Sequence, residues 1–285
     1  MDFLPDFLKR LADEDAVVVS VASTQGSVPR EAGTWMAVFA GHIVGTIGGG
    51  HVEFEAIAQA RALLKSAETP PLPFSKRYVL GPSLGQCCGG AMTLCYEKYS
   101  NIYNKYAGNK QKLNINAALD PVFPQNLRPK YQNVALFGGG HVGQAIVRIL
   151  STLPMQVLWV DSRDEIFPVE LPSNVTCEHS DPVQAAIADL SAGSHILIMS
   201  FSHAEDLDIV AACLERQREK ADLPFIGLIG SKTKWATFRH RLEDRGFSAA
   251  ELVHITCPIG VQGIAGKEPE VIAVAVAAQL LQLNQ

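Results

Sequence analysis

The chain has 285 residues, 47% of them hydrophobic and 19% charged, with a formal net charge of -5 at pH 7. That length suits two domains, and the composition is that of an ordinary globular protein with apolar material for two cores. The acidic balance argues against nucleic acid as the main partner, because neutralising phosphates takes clustered Lys and Arg.

Met1 to Asp6 carries acids where a secretory signal needs bases. The most apolar late run, Val271 to Leu281, is far shorter than the roughly 20 residues that span a bilayer. A cytoplasmic protein with no membrane association is expected, its six cysteines free thiols in a reducing compartment. Cys177, Cys213 and Cys257 lie among apolar neighbours and read as small buried hydrophobes.

In chain order, Leu4 to Ala12 has helical spacing and Ala16 to Ala22 is a β-branched strand. Trp35 to Ala40 and Ile43 to Ile47 read as a hairpin turning at Gly41-His42. Val52 to Leu64 has the periodicity of a helix, and Phe74 to Leu80 and Met92 to Tyr96 read as strands. The expected fold of residues 1–100 is therefore a compact α/β or α+β unit. From about residue 101 to 131 the composition turns to Asn, Lys and Tyr, punctuated by Pro121, Pro124 and Pro129, which suits a linker or connector.

Residues 132–285 alternate strand and helix patterns. Strands are expected at Asn133 to Phe137, Gln156 to Asp161, Val175 to Glu178, Ile196 to Phe201 and Phe225 to Ile229. Helices are expected at Gln144 to Leu150, Pro182 to Leu190, Asp206 to Glu219 and Thr233 to Glu243. That alternation predicts a Rossmann-like, doubly wound parallel sheet. The apolar Pro269 to Leu283 helix either closes the core or forms a homodimer face.

Five loops carry candidate chemistry. Leu84-Gly85-Gln86-Cys87-Cys88-Gly89-Gly90 sets two adjacent thiols in a glycine-rich loop. Glycines let a bulky ligand approach, and thiolate is the ligand thiophilic metals prefer. Gly138-Gly139-Gly140-His141-Val142-Gly143 matches G-x-G-x-x-G between a predicted strand and helix. Gly138, Gly140 and Gly143 permit the tight turn and close phosphate approach, the helix start supplies free N–H groups, and Asp161 stands where an acid can accept from a ribose diol. Gly48-Gly49-Gly50, at another strand-to-helix junction, reads as an anion loop or a tight turn, with Glu53 favouring the helix dipole. Gly230-Ser231-Lys232-Thr233-Lys234 is equally an anion site with two cations or a helix start capped by Ser231. Arg30, on the Gln25–Arg30 turn, could pair with a phosphate or carboxylate or simply be solvated. The eight histidines show no i, i+4 pair, and His195, inside an apolar strand, reads as a satisfied core residue. No Ser-His-Asp ordering supports a conventional hydrolase.

These segments resemble the XdhC/CoxI family, accessory factors in the maturation of xanthine dehydrogenase and related molybdenum hydroxylases. The resemblance rests on Gly26 to Arg30, Gly45 to Gly50 with Glu53, Leu84 to Gly90, Leu136 to Gly143, Val160 to Arg163, Ile226 to Lys232, Pro258 to Gly260 and Pro269 to Ala273. It implies a protein that binds molybdenum cofactor (molybdopterin with its metal), protects it and delivers it to the molybdenum-binding subunit of xanthine dehydrogenase. It also implies a meeting with a cysteine desulfurase, so that the cofactor is sulfurated before insertion. On this reading Cys87 or Cys88 contacts the metal or its sulfur ligand, and Gly48 to Gly50 or Gly138 to Gly143 holds the phosphate. One departure stands out: after Gly260 the family commonly continues with Leu and an acid, and this chain has Val261-Gln262. The alternative is an NAD(P)-dependent oxidoreductase using Gly138 to Gly143 and Asp161.

Overall fold

Alternation along the run AVVVSVA decides the architecture of the first unit. Val17, Val19 and Val21 point to one apolar cluster while Ala16 and Val18 point to another, as the two-residue period of a strand requires. The strand is therefore buried on both faces and must carry a helix on each. The computed structural model describes residues 3–65, 73–80, 89–100, 131–163 and 165–283, and the chain divides into two compact units, Asp2–Pro129 and Lys130–Gln285.

In the first unit, strands β1 (Ala16–Gln25), β2 (Trp35–Val38), β3 (Ile43–Gly45), β4 (Phe74–Val79) and β5 (Ala91–Tyr99) form one sheet in the order β3-β2-β1-β5-β4. Every described pairing in it is antiparallel. Helix α1 (Leu4–Leu11) places Phe7 and Leu11 against Trp35, Phe39 and Tyr99 on one face. Helix α2 (Gly50–Lys65) buries Val52, Ala56, Ala60 and Leu63 on the other, an i, i+4 stripe of the expected kind.

The second unit is a six-stranded parallel sheet. Its strands are β6 (Gln132–Phe137), β7 (Met155–Asp161), β8 (Val175–His179), β9 (His195–Ile198), β10 (Phe225–Leu228) and β11 (Ile255–Thr256), in the order β11-β10-β9-β6-β7-β8. Counted from β6 this is the 3-2-1-4-5-6 order of a Rossmann fold, with its topological switch between β6 and β9. Helices α3 (His141–Leu150), α4 (His203–Lys220), α5 (Lys232–Asp244), α6 (Ala249–Leu252) and α7 (Pro269–Gln282) accompany it. Helix α7 closes the core, burying Ala273, Val276, Ala277 and Leu280 in the cluster that holds Ile146 and Leu150 of α3.

Two local expectations change. The helix expected at Pro182 to Leu190 is a 3-10 segment, Val183–Asp189, opened by Pro182 and too short to build a stable α-helical stripe. The strand expected to reach Phe201 ends at Ile198, and residues 199–202 become the loop that crosses the switch point. The connector expected over 101–131 lies outside the described residues except for Tyr131.

Candidate functional site

In the first unit, three of the glycine loops meet at one end of the sheet. A Cβ on Gly90 would lie 2.3 Å from the Ser27 carbonyl oxygen and 2.6 Å from that of Gln25. A Cβ on Gly48 would lie 2.8 Å from Pro29 Cβ and 3.1 Å from Arg30 Cγ. The Gln25–Arg30 turn thus packs against both the triple-glycine loop and Gly90, close enough that glycine is required. Arg30 is exposed. Gly49 and Gly89 have nothing within 4 Å of an added Cβ, so their outer faces are open. Cys87 and Cys88 lie outside the described residues, and Gly89 is the next residue in the chain.

Glu53 does more here than face a helix dipole. Its Oε2 accepts from Thr46 Oγ1 at 2.5 Å, Ile47 N–H at 2.9 Å and Gly49 N–H at 3.0 Å, while Gly48 N–H goes to Thr46 Oγ1 at 3.1 Å. A carboxylate from the first turns of α2 thus fills the amide cradle of its own loop, the position a bound anion would take. Of the Gly48–Gly50 stretch, the amides of Gly48 and Gly49 are already spent on protein acceptors.

The glycine loop of the second unit follows β6 and opens α3. Gly138 has φ +129, and a Cβ there would sit 2.0 Å from the Met199 carbonyl oxygen; one on Gly143 would sit 2.0 Å from the Gly138 carbonyl oxygen. Both glycines serve packing within the protein. Gly140 differs: it is the N-cap of α3 in extended conformation, it has no side chain with which to cap the helix, and a Cβ would meet nothing within 4 Å. It leaves free room beside the unsatisfied first N–H groups of a ten-residue helix, the geometry that favours phosphate.

Asp161 ends β7 at 2% exposure. Its Oδ2 accepts from Gly139 N–H at 2.5 Å and Arg163 Nη2 at 2.8 Å, and its Oδ1 from Arg163 N–H at 2.9 Å and Arg163 Nε at 2.8 Å. Burial alone would push this carboxyl up, but the Arg163 hydrogen bonds and the Gly139 N–H outweigh it and hold the group below the usual carboxylate range. Around it, Ser162 Oγ donates to Glu205 Oε1 at 2.6 Å, and the Arg163 guanidinium lies 4.8 Å from the Phe201 ring centroid. Glu205 Oε2 is buried without a hydrogen-bond partner. Phe201 and Glu205 reach Asp161 only through Arg163 and Ser162; an aromatic residue in the loop after β9 and an acid in the first turn of α4 were the available signals for them.

The Gly230–Lys234 segment resolves as a capped helix start. Ser231 Oγ accepts from Lys234 N–H, and Lys234 Nζ bonds Asp206 Oδ2 at 2.6 Å and the Ile229 carbonyl at 2.9 Å. Asp206 Oδ1 in turn accepts from the backbone N–H and hydroxyl of Ser200. This buried pair spends the Lys234 cation on joining the loops after β9 and β10. Gly260 N–H donates to Gln279 Oε1 of α7 at 2.7 Å, and Gln262, where the family pattern departs, is exposed. His195 is buried beside the Gln132 amide, and burial pushes its imidazole down, towards the neutral form. Cys95, Cys177, Cys213 and Cys257 are free, and burial pushes all four thiols up. Among the described residues, no group of three or more His, Cys, Asp or Glu could hold a metal ion, and no helix is long and apolar enough to cross a membrane.

The XdhC Rossmann domain matches residues 134–280, more than half of the chain, and the XdhC and CoxI family matches residues 10–75. The chain belongs to the XdhC family. Membership implies an accessory role in molybdoenzyme maturation. The chain is 24% identical over 270 residues to the uncharacterized protein YqeB of Escherichia coli strain K12, covering 94% of itself and 43% of that protein. A crystal structure from Bacillus halodurans, described as a xanthine dehydrogenase, shares the fold with a TM-score of 0.73 at 20% identity. That likeness covers 100% of this XdhC-family chain and 96% of the other.

Proposed function

We propose that this XdhC-family chain binds molybdenum cofactor as cargo, protects it, supports its sulfuration by a cysteine desulfurase, and delivers it to xanthine dehydrogenase or a related molybdenum hydroxylase. The observation that supports the reading best is the meeting of the Gln25–Arg30, Gly48–Gly50 and Gly89–Gly90 loops at one end of the first sheet. Cys87 and Cys88 directly precede Gly89 in the chain. The cargo brings a phosphate and a thiophilic metal. Thiolate is the fitting donor for the metal, which assigns Cys87 and Cys88 to it. The four described thiols are pushed up by burial and are poorer thiolate donors.

Within the second unit, Gly140 and the first turn of α3 offer a separate seat for a phosphate-bearing ligand. Their space is free, whereas Glu53 already occupies the amides around Gly48 and Gly49. Gly138 and Gly143 shape that seat by permitting the turn and the close packing beneath it. Asp161 positions the loop by holding the Gly139 N–H. The oxidoreductase alternative needs Asp161 to accept a ribose diol, a role its present hydrogen bonds oppose.

The test is anaerobic incubation of the full chain with purified molybdenum cofactor, followed by gel filtration and measurement of metal and pterin per chain. Near-stoichiometric retention is expected for the wild type and marked loss for the Cys87→Ala/Cys88→Ala double variant. Equal retention by a folded double variant would remove the cysteines from the site, and no retention by the wild type would remove the carrier reading.

A further inference from the structure

We propose that the crevice of the second unit is closed on its ribose side by a clasp centred on Arg163. The crevice then admits a phosphate-bearing ligand without an adenosine arm and rejects NAD(H) and NADP(H). The proposal rests on the reading above in one respect, that the amino end of α3 is the phosphate seat.

An adenine dinucleotide on this fold sets its pyrophosphate on the first glycine loop and its ribose against the acid that ends the second strand. That acid is Asp161, with a side chain 1% exposed. An ionised carboxylate offers about four lone-pair positions, and here the Gly139 N–H, the Arg163 N–H and two guanidinium N–H groups of Arg163 take them. A ribose hydroxyl can bond this carboxylate only by displacing one of those donors. The guanidinium pairing is bidentate, the strong form of such a bond.

Arg163 is itself fastened across the crevice. Its guanidinium lies over Phe201, and the neighbouring Ser162 donates to Glu205. Ser162 and Arg163 follow β7, while Phe201 and Glu205 belong to the loop and first turn after β9. Strands β7 and β9 flank β6 on its two sides, so the two segments that would border an adenosine are tied to each other. A 2′-phosphate fares no better than a ribose hydroxyl, because the Arg163 guanidinium is already paired with Asp161 and the Glu205 carboxylate beside it repels an anion. On the phosphate side, by contrast, Gly140 opens onto free space.

The experiment is calorimetric titration of the full chain, wild type and Arg163→Ala, with NADH, NADPH and inorganic pyrophosphate. The wild type is expected to show no saturable NADH or NADPH binding. Arg163→Ala is expected to bind NADH at least about tenfold more tightly than the weakest affinity the titration of the wild type would have detected, the value of one recovered hydrogen bond to a charged group. Ser162→Ala cuts the tie to Glu205 while leaving the Arg163–Asp161 pair in place. It should move the same way by a smaller factor, and it stands in if Arg163→Ala does not fold. Tight NADH binding by the wild type would overturn the proposal, and so would equally weak binding by the wild type and the folded variants. Pyrophosphate separates the two readings: binding in all proteins keeps the phosphate seat, and binding in none removes that seat whatever the clasp does.

Discussion

Replacing Asp161 by Asn tests the electrostatic core of the second unit. Asn keeps one acceptor oxygen but turns an NH2 group towards donors that need an acceptor, so two or more of the four hydrogen bonds to Asp161 are lost. Hydrogen bonds to a charged group are worth about 1.5–3 kcal/mol each. Arg163 is 34% exposed, so water recovers part of that, and the net loss comes to about 3 kcal/mol. For a unit of this size that lowers the melting temperature by roughly 6–12 °C. The pH dependence has a defined sign. The folded Asp161 pKa is depressed, so its contribution is whole above the unfolded carboxyl value of about 3.9 and is lost as pH falls through the lower folded value. Scanning calorimetry and urea melts at pH 7, 5 and 3 should therefore show a full gap between wild type and Asp161→Asn at the two higher values and a narrowing gap at the lowest. A gap under about 0.5 kcal/mol at pH 7, the size of an ordinary surface substitution, would refute the reasoning. So would a gap that closes between pH 7 and 5.

Glycine substitutions should separate packing from binding. Gly143→Ala puts a Cβ 2.0 Å from the Gly138 carbonyl and should cost about 2 kcal/mol or more in a denaturant melt, while Gly140→Ala should leave stability within about 0.5 kcal/mol and lower pyrophosphate affinity. Equal stability losses would contradict the division of roles. Glu53→Ala removes the acceptor for Thr46, Ile47 and Gly49 and should make the 46–50 loop the first site of limited proteolysis, with about 2–3 kcal/mol lost; an unchanged cleavage pattern would count against Glu53 as the loop's internal anion. Because burial raises the thiols of Cys95, Cys177, Cys213 and Cys257, the fast phase with an aromatic disulfide reagent at neutral pH should vanish in Cys87→Ala/Cys88→Ala. A fast phase that survives would place the reactive thiol elsewhere.

The elements of both units were legible where periodicity was long and local. The strand-helix alternation after residue 132 predicted the parallel sheet, and the β1 run carried its two-sided burial in a near-continuous apolar stretch. The two-residue β11 and four-residue α6 are too short to leave a period and were not foreseen. In the sites, sequence spacing located loops but not which groups satisfy which. The rule for an acid after G-x-G-x-x-G picked out Asp161, yet Arg163 two residues on fills it, a matter of side-chain direction at the end of a strand. Glu53 returns to Thr46 through one turn of α2, and Lys234 meets Asp206 across 28 positions because the loops after β9 and β10 are neighbours. Such pairings are made by tertiary packing, and no local pattern encodes them.

The central claim is that the chain carries molybdenum cofactor and gives it up. The most direct measurement loads the full chain anaerobically, mixes it with an apo molybdenum hydroxylase, and follows metal in each protein together with hydroxylase activity. The account predicts that molybdenum leaves the chain, appears in the hydroxylase, and brings activity with it in proportion. Metal that stays on the chain while the hydroxylase remains inactive would contradict the account, as would oxidation of a substrate by the chain alone with a nicotinamide nucleotide.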